Sequence, residues 1–150
     1  MAIARGAGTE IIRCHHFEDI DDTQRVAIFG VQHHIYTVLS VIVCPETLAT
    51  AGNTFKMSLK GYDILGNGTG QDILICQAPF SAAKETFVWN DKFSFNGAEP
   101  TGFGGALDSA ADQNAVADQG SGTSQQLMIS ATENADSFEV HVTFIDQNNS

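Results

Sequence analysis

The sequence predicts an all-β domain, an eight-stranded antiparallel β-sandwich of jelly-roll type. Phe138-Glu139-Val140-His141-Val142-Thr143-Phe144 alternates apolar and polar residues without a break. Successive side chains of a strand point to opposite faces, so such a segment has one dry face and one wet face. The same rhythm recurs upstream in short runs separated by Gly, Asn and Asp, the residues that favour turns. A chain of 150 residues suits one domain with its own core, able to bury roughly two thirds of its unfolded surface.

The elements follow in order. Residues 1–8 are small and Gly-containing and read as a flexible arm, leaving 9–150 as the sandwich domain. Strands are expected at 9–17, 24–30, 33–44, 54–64, 71–78, 85–95, 125–131 and 137–145. The run from Ile35 to Val43 is apolar on both faces and rich in β-branched residues, which disfavour helix. It is placed at the centre of a sheet and expected to be covered on both sides, ending at Pro45. Phe55, Met57 and Leu59 alternate with Lys56, Ser58 and Lys60, a strand with one wet face. Leu65 to Gly70 reads as a loop. Phe87, Trp89, Phe93 and Phe95 share one parity, interrupted at Asp91. Asn90-Asp91 is read as a turn or bulge, over the alternative of an inward carboxylate, because an unpaired buried carboxylate is expensive. The dry face should hold Phe55, Met57, Leu59, Leu127, Ile129, Phe138, Val140, Val142 and Phe144. Residues 97–124 break the rhythm and form an insertion long enough to suggest a task. Its Ala-rich stretch from Ala106 to Asp118 is assigned a short helix that Gly120 could stop, against the alternative of an extended loop laid on a neighbouring subunit.

Composition excludes several functions. The net charge is −11, and no Lys or Arg follows Lys92. Nucleic-acid binding depends on neutralising phosphates, so a nucleic-acid partner is rejected. No apolar run approaches the ~20 residues needed to span a bilayer, and no basic-apolar leader opens the chain. Charged residues are only 17% of the chain, so some surface is expected to belong to partners. Cys14, Cys44 and Cys76 lie in strand-like runs and read as reduced core thiols.

No constellation spells out catalysis. His15-His16, His33-His34 and His141 could converge on a metal, as strand histidines do in cupins. The usual His-x-His with a following Glu is missing, however, so histidines at strand edges or interfaces are the favoured reading. No serine sits in a nucleophile elbow. Asp19, Asp21 and Asp22 fall in a turn, with calcium as the alternative use of their oxygens. Trp89, Tyr36 and Tyr62 could stack on sugars, but Trp89 is assigned to the core. Catalytic residues, metal ligands and cofactors are therefore all expected to be none.

Three segments together resemble small virion structural proteins of tailed bacteriophages, of the marine and cyanobacterial kind. They are Gln32 to Leu39, Glu85 to Phe93 and Val140 to Asn149. The resemblance covers most of the chain apart from the insertion and carries no catalytic motif. It implies a non-enzymatic part of a particle, made in the bacterial cytoplasm and located in the virion. A capsid decoration protein comes first, a head–tail connector or tail component second. Outside that class the alternatives are a carbohydrate-binding module and a cupin-like metalloenzyme. Acidity suits an outer surface facing water. The partners expected are the major capsid protein and further copies of the chain, as a trimer in preference to a two-fold dimer. Ile3 and Arg5 of the arm and Phe103, Leu107 and Val116 of the insertion are the expected interface residues.

Overall fold

The computed structural model describes residues 9–63, 68–99, 108–118 and 123–148. The chain is nearly all β, in two antiparallel sheets. The first sheet runs in the order β1 (Thr9–Ile20), β11 (Ser137–Asn148), β3 (His34–Thr47), with β6 (Phe87–Trp89) and β7 (Phe93–Asn96) both on the far side of β3. The second runs β2 (Arg25–Phe29), β10 (Gln126–Ala131), β4 (Thr54–Asp63), β5 (Gly68–Pro79). A ribbon of β8 (Ala98–Glu99) and β9 (Thr123–Ser124) and a helix, α1 (Ala110–Asp118), complete the described elements.

One core joins the sheets. Phe138, Val140, Val142 and Phe144 of β11 are buried, as are Phe55 and Met57 of β4 and Leu127 and Ile129 of β10. These are the residues that alternation predicts. Leu59, expected with them, is only half-buried at the margin of the core. Phe80, just past β5, packs on Phe138 with ring centroids 5.3 Å apart.

The long apolar run of β3 keeps two inward sets out of phase. Tyr36 and Val38 point inward, and so do Val41 and Val43. The change of parity falls at Leu39, an extra residue between the pairs Phe144–Val38 and Thr143–Ser40. A bulge of this kind keeps both halves facing the core. The strand beside β3 makes the matching adjustment: Trp89 faces Val41, Phe93 faces Val38, and Asn90, Asp91 and Lys92 bulge out to solvent. That is the expected interruption at Asp91, and it leaves Phe87, Trp89, Phe93 and Phe95 all on the core side. The expectation that β3 is covered on both faces fails, because Ile42 on its outer face is 39% exposed.

The cysteines also depart from expectation. Cys76 alone is buried; Cys14 is exposed and Cys44 half-buried. Alternation explains this: Cys14 pairs with Thr143, and Cys44 with Glu139, which both point outward.

The insertion leaves the sandwich through a tight backbone crossing. Gly97 N donates to His34 O (2.8 Å), Gln125 N to Gly97 O (3.0 Å) and Gly30 N to Gln125 O (2.8 Å). A Cβ at Gly30 would stand 1.9 Å from Gly97 O, so only glycine fits. Ser109 starts α1 as its N-cap: Asp112 N donates to Ser109 Oγ (3.1 Å), and Ser109 Oγ donates to the Asp112 carboxylate (2.6 Å).

Candidate functional site

The most distinctive surface lies where β1 and β2 meet. Each is the last strand of its sheet. β1 has twelve residues and β2 has five, so β2 cannot cover the inner face of β1. Only Ile20 of β1 is fully buried. A shallow groove of about 490 Å³ opens between the two strands, lined by Cys14, His15, His16 and Phe17 on one side and Val26, Ala27 and Phe29 on the other.

The seam is held by polar bridges and by rings: at one end Arg25 of β2 donates to Glu18 O (3.1 Å) and Asp19 O (3.0 Å) of β1. His15 Nδ1 donates to Ala27 O at 2.8 Å, linking the two sheets. The His15 ring also meets Phe144 edge-on, with centroids 4.9 Å apart. Apolar side chains of these edges stand in solvent: Ile12 on the outer face of β1 is 70% exposed, Phe29 in the groove 58%, and Val31, just past β2, 49%. Edge strands of independent proteins are usually guarded by charges, proline or bulges. Between Glu10 and Glu18, the one charged side chain of β1 is Arg13, and it is drawn to Asp146, 3.1 Å away.

Asp146 is a buried carboxylate and the centre of a small network. His34 Nδ1 donates to it at 2.5 Å and Arg13 supplies the second contact. The His34 ring stacks on Tyr36, whose hydroxyl accepts from Val31 N. The network ties β1, β3 and β11 together at one end of the first sheet and brings no described nucleophile to the histidine.

At the other end Asp136 and Asn53 clasp two loops. The Asp136 carboxylate accepts from Ala49 N, from Asn53 Nδ2 (2.9 Å) and from Thr50 N (3.4 Å). Asn53 Oδ1 accepts from Thr132 N and Glu133 N. Burial pushes the Asp136 carboxyl up, but the hydrogen bonds from Ala49, Asn53 and Thr50 outweigh it, and the net shift is downward. The Thr23 amide lowers Asp21, closing the turn after β1, and the Ser81 amide and hydroxyl with the Ala82 amide lower Glu85. Burial raises the Cys76 thiol. These groups organise turns and core.

The histidines are divided rather than gathered. His15 points into the seam and His34 to Asp146. His16 faces His141 across β1 and β11 on the outer surface, with ring centroids 5.8 Å apart. Among the described residues no three His, Cys, Asp or Glu side chains form a metal-holding group. Two of the three aromatics considered for sugar stacking are spent elsewhere: Tyr36 is buried and Trp89 faces the core.

Of the expected interface residues, Ile3, Arg5, Phe103 and Leu107 lie outside the described residues, and Val116 falls within α1. The seam itself was not anticipated. Its signal was the adjacent pair Ile11-Ile12, apolar on both faces of one strand, but nothing in the sequence fixes how short β2 would be beside it. No helix among the described residues is long and apolar enough to cross a membrane.

Comparison with known proteins adds little. No protein-family model matches the chain. No curated protein matches it either. One similar solved structure is a chain from the work "Bacillus endospore appendages form a novel family of disulfide-linked pili". It is 13% identical, with a TM-score of 0.41, over 100% of this chain and 97% of that one.

Proposed function

We propose that this chain is a non-enzymatic structural protein of a tailed-phage particle, most simply a capsid decoration subunit, that assembles through its sheet edges. The observation that carries this reading is the solvent-exposed apolar seam of β1 and β2, whose middle stretch from Ile11 to Phe17 holds one Arg and no Asp, Glu or Lys and pairs with β11 without a bulge. A twelve-residue edge strand flanked by Ile12, Phe29 and Val31 in solvent is a template for pairing with another chain. A free monomer gains nothing from it, whereas a particle component covers it on assembly.

The finer architecture belongs to the same reading. Counting β6 and β7 as one interrupted strand, the two sheets have the orders 1-8-3-6 and 2-7-4-5. Those orders support an eight-stranded jelly roll, a fold common in capsid proteins. The resemblance of Gln32–Leu39, Glu85–Phe93 and Val140–Asn149 to virion proteins of tailed phages supplies the particle. A head–tail or tail position is the next reading. The partners are further copies of the chain, with a trimer favoured, and the major capsid protein. The net charge of −11 suits an outer face.

Mass spectrometry of purified particles tests the placement. The chain should be found in many copies per particle, and its absence from particles sinks the reading. Deleting residues 1–8 should weaken docking while leaving the sandwich folded, because β1 begins at Thr9.

A further inference from the structure

The outer face of the first sheet, next to the seam, carries a second arrangement with a different chemistry. His16 and His141 are direct cross-strand partners, on the edge strand β1 and the central strand β11. Their rings lie 5.8 Å apart and are tilted by 53°. Neither ring makes a hydrogen bond to another described residue. In contrast, His15 is committed to Ala27 O and His34 to Asp146. The His16 side chain is about half exposed, at 49%, so an ion in solution can reach it.

We propose that His16 and His141 form a two-imidazole site for a divalent transition-metal ion of the copper, nickel and zinc class. Two imidazole nitrogens bound to one tetrahedral ion at ~2.0–2.1 Å place their ring centroids about 5 Å apart. The observed separation is reached from there by about 1 Å of side-chain rotation, with the backbone register already correct. Imidazole nitrogen selects these ions over calcium and magnesium, which take oxygen ligands. Glu18 stands beside the pair, with its Oε1 3.9 Å from His16 Nε2, and favours a cation there. Cys14 lies two residues earlier on the same face, but its Sγ contacts Thr143 Oγ1 at 3.4 Å. No three described groups converge, so water completes the coordination. A bound ion ties the edge strand to its neighbour and stabilises β1. Binding competes with protons and weakens as acid is added.

The test titrates the full, metal-stripped chain with nickel or zinc chloride, read by calorimetry and by the thermal midpoint. The midpoint should rise to saturation, because an ion that binds only the folded chain stabilises it. His16→Gln and His141→Gln should each weaken binding roughly tenfold or more, since each removes one of two ligands. Cys14→Ser should bind like the wild type, and magnesium chloride should have no effect. Paramagnetic copper provides a reading on the unmodified chain: the His16 and His141 ring resonances should broaden before those of the other three histidines. Equal binding by the His16→Gln/His141→Gln double variant, loss of binding in Cys14→Ser, or first broadening at another histidine would each overturn the proposal.

Discussion

β11 and β1 have the same length and pair with each other from end to end, yet they differ in almost everything else. In β11 every second residue from Phe138 to Asp146 is buried. In β1 only Ile20 is buried, although Ile11, Ile12 and Phe17 are as apolar as anything in its partner. Alternation fixes which residues share a face. Burial then depends on what lies opposite, and β11 sits under the full second sheet while β1 overhangs a five-residue strand. The fold stability therefore resides in β11, and β1 is free to act at the surface.

Core truncation should separate the two strands most sharply. Phe138→Ala or Phe144→Ala should cost about 3–5 kcal/mol by chemical denaturation, because each leaves a cavity between two sheets. Ile12→Ala should change stability by less than about 0.5 kcal/mol, since its side chain is 70% exposed. A comparable loss at both sites would contradict the division.

The next effect is at the buried carboxylate that joins the strands. Asp146→Ala should cost about 3 kcal/mol, because it leaves His34 and Arg13 without their partner. Arg13→Ala should cost clearly less, as half of that side chain is already in water. Equal costs for the two variants would show that the pair, rather than the buried charge, sets the energy.

Asp136 gives a smaller effect with a sign in pH. Its folded carboxyl titrates below the ordinary range. Its contribution is present in full above the unfolded value of about 3.9 and is lost as pH falls through the lower folded value. Asp136→Asn should therefore cost about 1–3 kcal/mol at neutral pH, and the gap to the wild type should narrow on acidification. A gap that widened in acid would reverse the assigned direction.

The same comparison explains how much was legible in the sequence. Strict alternation in β11 and β4 located the core, because one period governs both strand and face. The bulge beside Asp91 was legible too, since a carboxylate broke an otherwise aromatic parity. The parity change at Leu39 was hidden, because a run apolar at every position looks the same in either phase. The Asp136–Asn53 clasp joins residues 83 positions apart and leaves no local pattern. Cys14 was misplaced because its neighbours are apolar while its strand lies at an edge. The seam and the His16–His141 pair both depend on strand order and register, which alternation alone does not specify.

The central claim is that the β1–β2 seam is an assembly surface, and light scattering across a concentration series tests it most directly. The wild-type chain should rise above the mass of one subunit as concentration increases. Ile12→Lys/Phe29→Lys should remain a single subunit with an unchanged circular dichroism spectrum, because both positions are solvent-exposed and a charged edge resists pairing. A double variant that assembles as readily as the wild type, or a wild-type chain that stays a single subunit throughout the series, would contradict the account.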